Sequence, residues 1–162
     1  MMKKVLSMML AAALALSLCA CGGEPEQGER LFETGDVQTL VDAGVFSEEL
    51  EMLDADVAFA LYHLGDYGLE REDLVEAAVV RSAGATCEEA AVLIFGTEDD
   101  ELLEQAEQAL EDYVDSQVDS NESYRPNEIP KLENAIVERR QGHMILVVAN
   151  DAAKAREVLE LN

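Results

Sequence analysis

Two pairs of short apolar runs place the strongest constraint on how this chain can fold. The first pair covers residues 74–82 and 88–95 and is interrupted by Ala83-Gly84-Ala85-Thr86. The second pair covers residues 134–140 and 143–149 and is interrupted by Gln141-Gly142. Short runs rich in Val, Leu and Ile on either side of a Gly-containing turn are typical of β-hairpins. The sequence therefore predicts two hairpins that form one antiparallel sheet.

Helical periodicity accounts for most of the remaining chain. Apolar residues at three- and four-residue steps predict helices at 36–43, 47–64 and 97–122, and a last helix capped by Asn150 or Asp151. We expect Asp36 to cap the first helix and Gly44 to end it. The predicted order is ααββαββα, an α+β fold in which helices cover one face of a small antiparallel sheet, with no βαβ crossover.

The chain begins with a segment typical of export signals. Lys3 and Lys4 precede an apolar run at residues 5–18, which is shorter than the roughly 20 residues that a spanning helix needs. Leu18-Cys19-Ala20-Cys21 resembles a bacterial lipobox. We expect residues 1–20 to form a helical signal peptide that is removed, and Cys21 to carry lipid such as palmitate. Two acyl chains there suffice for stable anchoring.

Two alternatives to lipidation at Cys21 follow from the same residues. Cys19 is a second acylation candidate, but Leu18 is bulky where the lipobox has a small residue. An ordinary cleaved secretory signal would leave no lipid at all. With Cys21 acylated, the predicted location is the extracytoplasmic face of the cell membrane, with residues 21–30 as a flexible linker and 31–162 as one domain.

The chain is strongly acidic, with 35 Asp and Glu against 11 Lys and Arg. Removal of Lys3 and Lys4 with the signal takes the formal net charge from −24 to −26. Such a field repels nucleic acids and anionic headgroups, which disfavours basic-patch recognition and electrostatic membrane docking and leaves the lipid as the membrane contact. An acylated Cys21 cannot pair with Cys87, so we expect no internal disulfide.

The sequence carries no familiar catalytic or metal-binding signature. His63, His143 and Cys87 show no ligand spacing, and we expect ordinary imidazoles and a small packing thiol. Acids at 112, 115, 119 and 122 recur at helical spacing, but a straight helix cannot wrap calcium, so a solvated face is expected. We predict no cofactor and no metal, and no catalytic residues.

Four residues are candidates for a recognition surface. Glu88 and Glu89 enter the second predicted strand, where neighbouring side chains point to opposite faces. A convergent acid–base pair is therefore disfavoured, and a solvated edge is the simpler interpretation. Tyr113 and Tyr124 flank the proline-containing turn, although an aromatic at helical spacing is more often in a core. Together Glu88, Glu89, Tyr113 and Tyr124 form the predicted interaction surface.

A series of landmarks gives the chain a resemblance to a known family. They include Leu61-Tyr62-His63-Leu64-Gly65, Ser82-Ala83-Gly84-Ala85-Thr86, Tyr124-Arg125-Pro126, and the run from Gly142 to Val148. Residues 36–161 resemble the bacterial domain of unknown function family 4358, seen mostly in lipoproteins of Firmicutes. The resemblance implies a fold and a location, and it supplies no activity and no catalytic residues.

The predicted function is that of a non-catalytic, membrane-tethered module that binds an envelope protein or another envelope component through its small sheet. An envelope hydrolase that uses Glu or Asp is one alternative, and it requires two convergent carboxylates. A binder of divalent cations or cationic peptides is the other, suggested by the net charge.

Overall fold

The computed structural model describes residues 30–161, and the predicted signal peptide and Cys21 lie outside them. The helices are α1 (Gly35–Ala43), α2 (Ala55–Leu61), α3 (Asp100–Asn121), α4 (Ile129–Glu133) and α5 (Ala152–Val158). The strands are β1 (Glu51–Leu53), β2 (Leu74–Arg81), β3 (Glu89–Phe95), β4 (Ile136–Arg140) and β5 (His143–Val148). Short 3-10 turns lie at Leu64–Tyr67, Arg71–Asp73 and Pro126–Glu128.

The five strands form one sheet in the order β1-β2-β3-β5-β4, and every neighbouring pair is antiparallel. Both predicted hairpins are confirmed. In the first, Arg81 lies opposite Glu89, and in the second, Arg140 lies opposite His143. The α+β fold class is therefore confirmed.

The predicted helix at 47–64 is wrong over its first half. Glu51–Leu53 pairs with β2 as an edge strand, with Met52 opposite Val80. The Asp54 side chain then accepts a hydrogen bond from the Val57 amide at 2.9 Å, so α2 begins after it. The apolar spacing of this segment is compatible with a helix and with a strand. Pairing with β2 favours the strand, because strand formation depends on tertiary context.

Helices cover both faces of the sheet, and the prediction of one covered face is wrong. Ala91, Leu93 and Leu146 face the layer that contains α2, α3 and α4. Val92 and Ile145, which point the other way, pack under α1 and α5. Strands buried on both faces have nearly continuous apolar runs, and β3 and β5 have such sequences.

The connection from β3 to β4 differs from the prediction. Both strands run antiparallel to β5, which lies between them, so β3 and β4 are parallel to each other. Helices α3 and α4 make the crossover that joins them. Two hairpins predict no crossover because strands joined by a short turn are antiparallel, and the sequence does not reveal that β5 is inserted between β3 and β4.

Helix ends follow the predicted chemistry with one correction. Gly44 ends α1 in the left-handed region at φ 70°, and Asp151 caps α5 by accepting from the Lys154 amide. Asp36, however, lies inside the first turn of α1, where it accepts from the Glu33 amide at 2.8 Å. Among residues 30–161, none of the helices combines the length and the apolar character needed to span a bilayer.

Candidate functional site

Buried polar side chains gather at the segment that leads into β3, residues 82–89, which we call the β3 entrance. Of the five buried polar residues in the described part of the chain, Ser82, Glu88 and Glu89 lie in this segment, and Asn121 contacts it through Arg125. Within residues 30–161, every buried side-chain nitrogen or oxygen has a hydrogen-bond partner. The β3 entrance is therefore a fully bonded polar centre in an otherwise apolar interior.

Glu88 is held by donors from two distant parts of the chain. It is 1% exposed. One carboxylate oxygen accepts from the Ser47 amide at 2.7 Å, and the other accepts from Ser47 Oγ at 2.6 Å and from Lys131 Nζ at 2.8 Å. Burial lowers the pKa of Lys131, but hydrogen bonds to Glu88 and Glu128 outweigh it, and the net pKa is raised. This buried ion pair joins the start of β3 to α4.

Glu89 is held by two phenols on the other side of the sheet. It is 2% exposed, and it accepts hydrogen bonds from the Tyr62 hydroxyl and, at 2.8 Å, from the Tyr113 hydroxyl. Arg81 Nε lies 3.6 Å away. Burial raises the pKa of Glu89 more than the two phenols lower it. Burial and the nearby Glu89 carboxylate raise the pKa of Tyr113, so its hydroxyl stays a donor.

The Glu88 and Glu89 carboxylates do not converge on one site. Their donor sets share no residue, which agrees with the expectation that neighbouring strand residues point to opposite faces. The interpretation of Glu88 and Glu89 as a solvated edge is wrong, because both carboxylates are interior. Each carboxylate has its own structural donors and is used to hold the fold.

The turn of the β3 entrance is fixed by its own hydroxyl and by one arginine. Ser82 Oγ accepts from the amides of Gly84 at 3.1 Å and Thr86 at 3.0 Å. Arg125 donates to the carbonyls of Gly84 at 2.9 Å and Thr86 at 3.1 Å, while its Nε donates to Asn121. The arginine thus joins the end of α3 to this turn.

Cys87 lies inside the same segment and is buried. Burial raises the pKa of its thiol, and the nearby Arg125 lowers it by less. Its amide donates to the Glu128 carboxylate at 2.9 Å. A thiol that is kept protonated is a poor nucleophile, which supports its interpretation as a packing residue.

The predicted interaction surface does not exist as one exposed patch. Glu88, Glu89 and Tyr113 are all buried, and Tyr113 serves as a donor to Glu89. Tyr124 is 81% exposed, and the Arg125 guanidinium lies 5.9 Å from the centroid of its ring. Of the four residues, Tyr124 is the one that a partner can touch without a change in the fold.

An open cleft lies beside the Glu89 cluster, between α3 and the turn that follows α2. Its volume is about 430 Å³, and Tyr62, Tyr67 and Tyr113 contribute to its wall with Asp66 and Asp112. The Tyr62 and Tyr113 rings meet edge to face with centroids 5.0 Å apart. The Tyr67 hydroxyl donates to Asp112 at 2.5 Å, which lowers the pKa of that carboxyl. The cleft is aromatic and acidic.

The two histidines differ in exposure, and the acids along the outer face of α3 are exposed. His63 is exposed and lies 3.4 Å from the Asp66 carboxylate, and His143 Nδ1 hydrogen-bonds with the Phe32 carbonyl at 2.7 Å. Asp115 and Asp119 lie on the exposed face of α3, and Glu122, directly after the helix, is exposed as well. In the part of the chain that the structure describes, His, Cys, Asp and Glu form no group of three or more that could hold a metal.

Sequence inspection missed Tyr62, Arg125 and Lys131 as partners in this centre. Tyr62 follows the apolar pattern of α2, so the sequence indicates a core aromatic and gives no sign that its hydroxyl bonds to Glu89. Arg125 and Lys131 carried a usable signal, since they are the sole basic residues between Arg81 and Arg139 in a very acidic chain. Isolated cations in such a stretch indicate specific partners, because a solvated surface in this protein is made of acids.

The fold and the bonded β3 entrance define a single α+β domain built around a five-stranded antiparallel sheet. The chain belongs to the family described as "Domain of unknown function (DUF4358)", whose profile matches residues 63–157. The match begins just after α2 and ends in the last turn of α5, so α1, β1 and α2 lie outside it. No curated protein and no solved structure matches the chain.

Proposed function

We propose that this protein is a non-catalytic binding module, tethered by lipid on Cys21 to the extracytoplasmic face of the cell membrane. The observation that carries the proposal is the state of the two interior carboxylates. Glu88 and Glu89 are saturated by Ser47, Lys131 and two phenols and lie in separate donor sets. Both carboxylates stabilise the fold, and because their oxygens are occupied by internal donors, neither is placed to exchange a proton with a substrate.

The binding surface of this module is not the sheet. Helices pack on both of its faces, so a partner has to contact helix surfaces or connecting segments. Tyr124, exposed just after α3 beside the Arg125 guanidinium, offers one such contact, and aromatic side chains are frequent binding anchors. The alternative of an envelope hydrolase would need converging carboxylates, and Glu88 and Glu89 diverge.

The proposal is tested by crosslinking in living cells. The tagged full chain is crosslinked, the membrane fraction is isolated, and captured proteins are identified by mass spectrometry. We expect one envelope protein to be enriched with the wild type and lost or weakened with a Cys21→Ala variant, which leaves the membrane fraction because it lacks the acylated thiol.

Two results would contradict the proposal. Equal membrane retention of Cys21→Ala would refute lipid anchoring at this cysteine. An abundant membrane-bound wild type that captures no partner would refute the interaction module and favour a small-molecule or enzymatic role.

A further inference from the structure

A second concave surface lies on the other side of α3, between that helix, α4 and the first residues of β4. We call it the α3–α4 groove. Its floor is made by Val114 and Val118 of α3, Leu132 of α4 and Val137 of β4, and its volume is about 540 Å³. Val118 and Val137 are only partly buried although they pack against the core. The groove therefore shows apolar side chains to solvent.

The charged residues at the rim of the α3–α4 groove are all acidic. Glu111, Asp115 and Glu133 line it and are exposed. Among the described residues, none of these three side chains has an ion-pair or hydrogen-bond partner. On the same helix, Arg139 bonds to Asp100 at 2.7 Å and to Glu107 at 3.0 Å. Glu111, Asp115 and Glu133 are therefore unneutralised carboxylates beside the apolar floor.

We propose that the α3–α4 groove binds a cationic amphipathic segment of a protein partner, in which Lys or Arg flanks apolar side chains. This inference rests on the proposed binding function and names its surface and the chemistry of its partner. Apolar side chains of the segment would cover Val118 and Val137, and its basic groups would lie against Glu111, Asp115 and Glu133. An apolar floor with a complementary charged rim gives affinity from burial and orientation from charge.

Other occupants fit the groove less well. A lone divalent cation would leave the apolar floor exposed, and carboxylates on the surface of helices cannot wrap six to eight oxygens around it. Anionic lipids and nucleic acids are repelled by three carboxylates in a chain of net charge −24. A segment that carries both basic and apolar groups can cover the apolar floor and pair with the acidic residues of the rim.

The test uses a defined probe with the full-length protein in a non-ionic detergent. The probe is a short fluorescent leucine–lysine peptide that forms an amphipathic helix, and its partner control has glutamate in place of lysine. Binding is measured by fluorescence anisotropy. We expect the lysine peptide to bind, the glutamate peptide not to bind, and the triple variant Glu111→Gln, Asp115→Asn, Glu133→Gln to weaken binding about tenfold, because each exposed ion pair contributes a few-fold.

Two further variants separate the groove from the overall charge. Glu33→Gln, Asp42→Asn and Glu157→Gln remove the same charge from exposed positions on and next to the helices of the opposite layer. This control is expected to weaken binding by less than twofold. Val118→Ser keeps every charge and is expected to weaken binding several-fold. Equal losses in the two triple variants, no effect of Val118→Ser, or no binding of the lysine peptide would overturn the inference.

The experiments can refute the groove as the binding surface without refuting the proposed binding function. If in-cell crosslinking captures an envelope protein and the groove triple variant captures it equally well, the module binds through another surface such as Tyr124. If no partner is captured, the binding function itself is refuted. Thermal melting of each variant confirms that a loss of binding does not come from a loss of folding.

Discussion

At the scale of the residue, Glu89 shows how a buried carboxylate is tolerated. Removing a carboxylate from water is costly unless donors replace the water, and two phenols and Arg81 take that role here. The sequence predicted correctly that Glu88 and Glu89 diverge, because strand geometry fixes that. It did not predict their burial, since Ser47, Tyr62 and Lys131 come from distant positions that only the tertiary fold brings together.

Tyr113→Phe removes one of the two phenol donors of Glu89 and leaves the ring in place. We expect the free energy of unfolding to fall by about 1 to 3 kcal/mol, because a buried acceptor loses a partner. Urea denaturation monitored by circular dichroism measures this change in the free energy of unfolding. Tyr124→Phe is the matched control, since Tyr124 is 81% exposed and its hydroxyl has no hydrogen-bond partner among residues 30–161; an equal effect of the two substitutions would contradict the assignment.

Glu89 also gives a pH dependence with a definite sign. Because burial raises its pKa above the ordinary value of 4.5, the folded state binds the proton more tightly than the unfolded state. The stability that Glu89 contributes is therefore fully present below pH 4.5 and is lost as the pH rises through the raised pKa. Glu89→Gln cannot titrate and serves as the reference.

The measurement is urea unfolding of the wild type and of Glu89→Gln between pH 4 and pH 7. We expect the free energy of unfolding of the wild type, minus that of the variant, to decrease as the pH rises. A difference that grows with pH would show that the pKa of Glu89 is lowered in the folded protein.

At the scale of the element, local signals predicted the hairpins and most helices because both depend on nearby residues. Gln141-Gly142 marked the β4–β5 turn, and Asp151 marked the start of α5. The edge strand β1 was not predictable in this way, since three residues carry no periodicity and form a strand only against β2. The same limit applies to α4, whose five residues are too few for a helical pattern.

The β4–β5 turn is packed against the end of β3, which makes Gly142 a sensitive position. A Cβ atom at Gly142 would lie 2.9 Å from the Phe95 carbonyl oxygen, and the Gly142 carbonyl accepts from the Phe95 amide at 2.8 Å. Gly142→Ala must push the turn away from β3, and we expect a loss of about 1 to 3 kcal/mol in the free energy of unfolding.

Gly35→Ala is the control for this prediction. A Cβ atom at Gly35 meets nothing within 4 Å, and the residue lies at the start of α1, where Ala is favoured over Gly. Thermal unfolding should show a lower melting temperature for Gly142→Ala and an unchanged or higher one for Gly35→Ala. Equal melting temperatures would refute the close packing of the turn.

At the scale of the whole molecule, the fold class followed from the sequence while the arrangement of layers did not. Two hairpins and several helices define an α+β domain, but the order β1-β2-β3-β5-β4 depends on where β5 inserts. The nearly continuous apolar sequences of β3 and β5 were the available signal that both faces are covered. The acidic composition indicated repulsion of nucleic acids and anionic lipids. In the α3–α4 groove the same negative charge would attract the basic groups of the proposed partner segment.

The contact of Arg30 with the β4–β5 hairpin decides which end of the sheet a tether at Cys21 would reach. The Arg30 carbonyl accepts from Arg140, whose strand partner is His143 beside the turn, whereas Glu89 lies opposite Val148 at the far end of the sheet. For a chain held at Cys21, the intervening residues reach at most about 30 Å. The Gly142 turn would then lie at the tethered end of the sheet, and the β3 entrance would lie about 20 Å along the strands from it, at the end away from the tether.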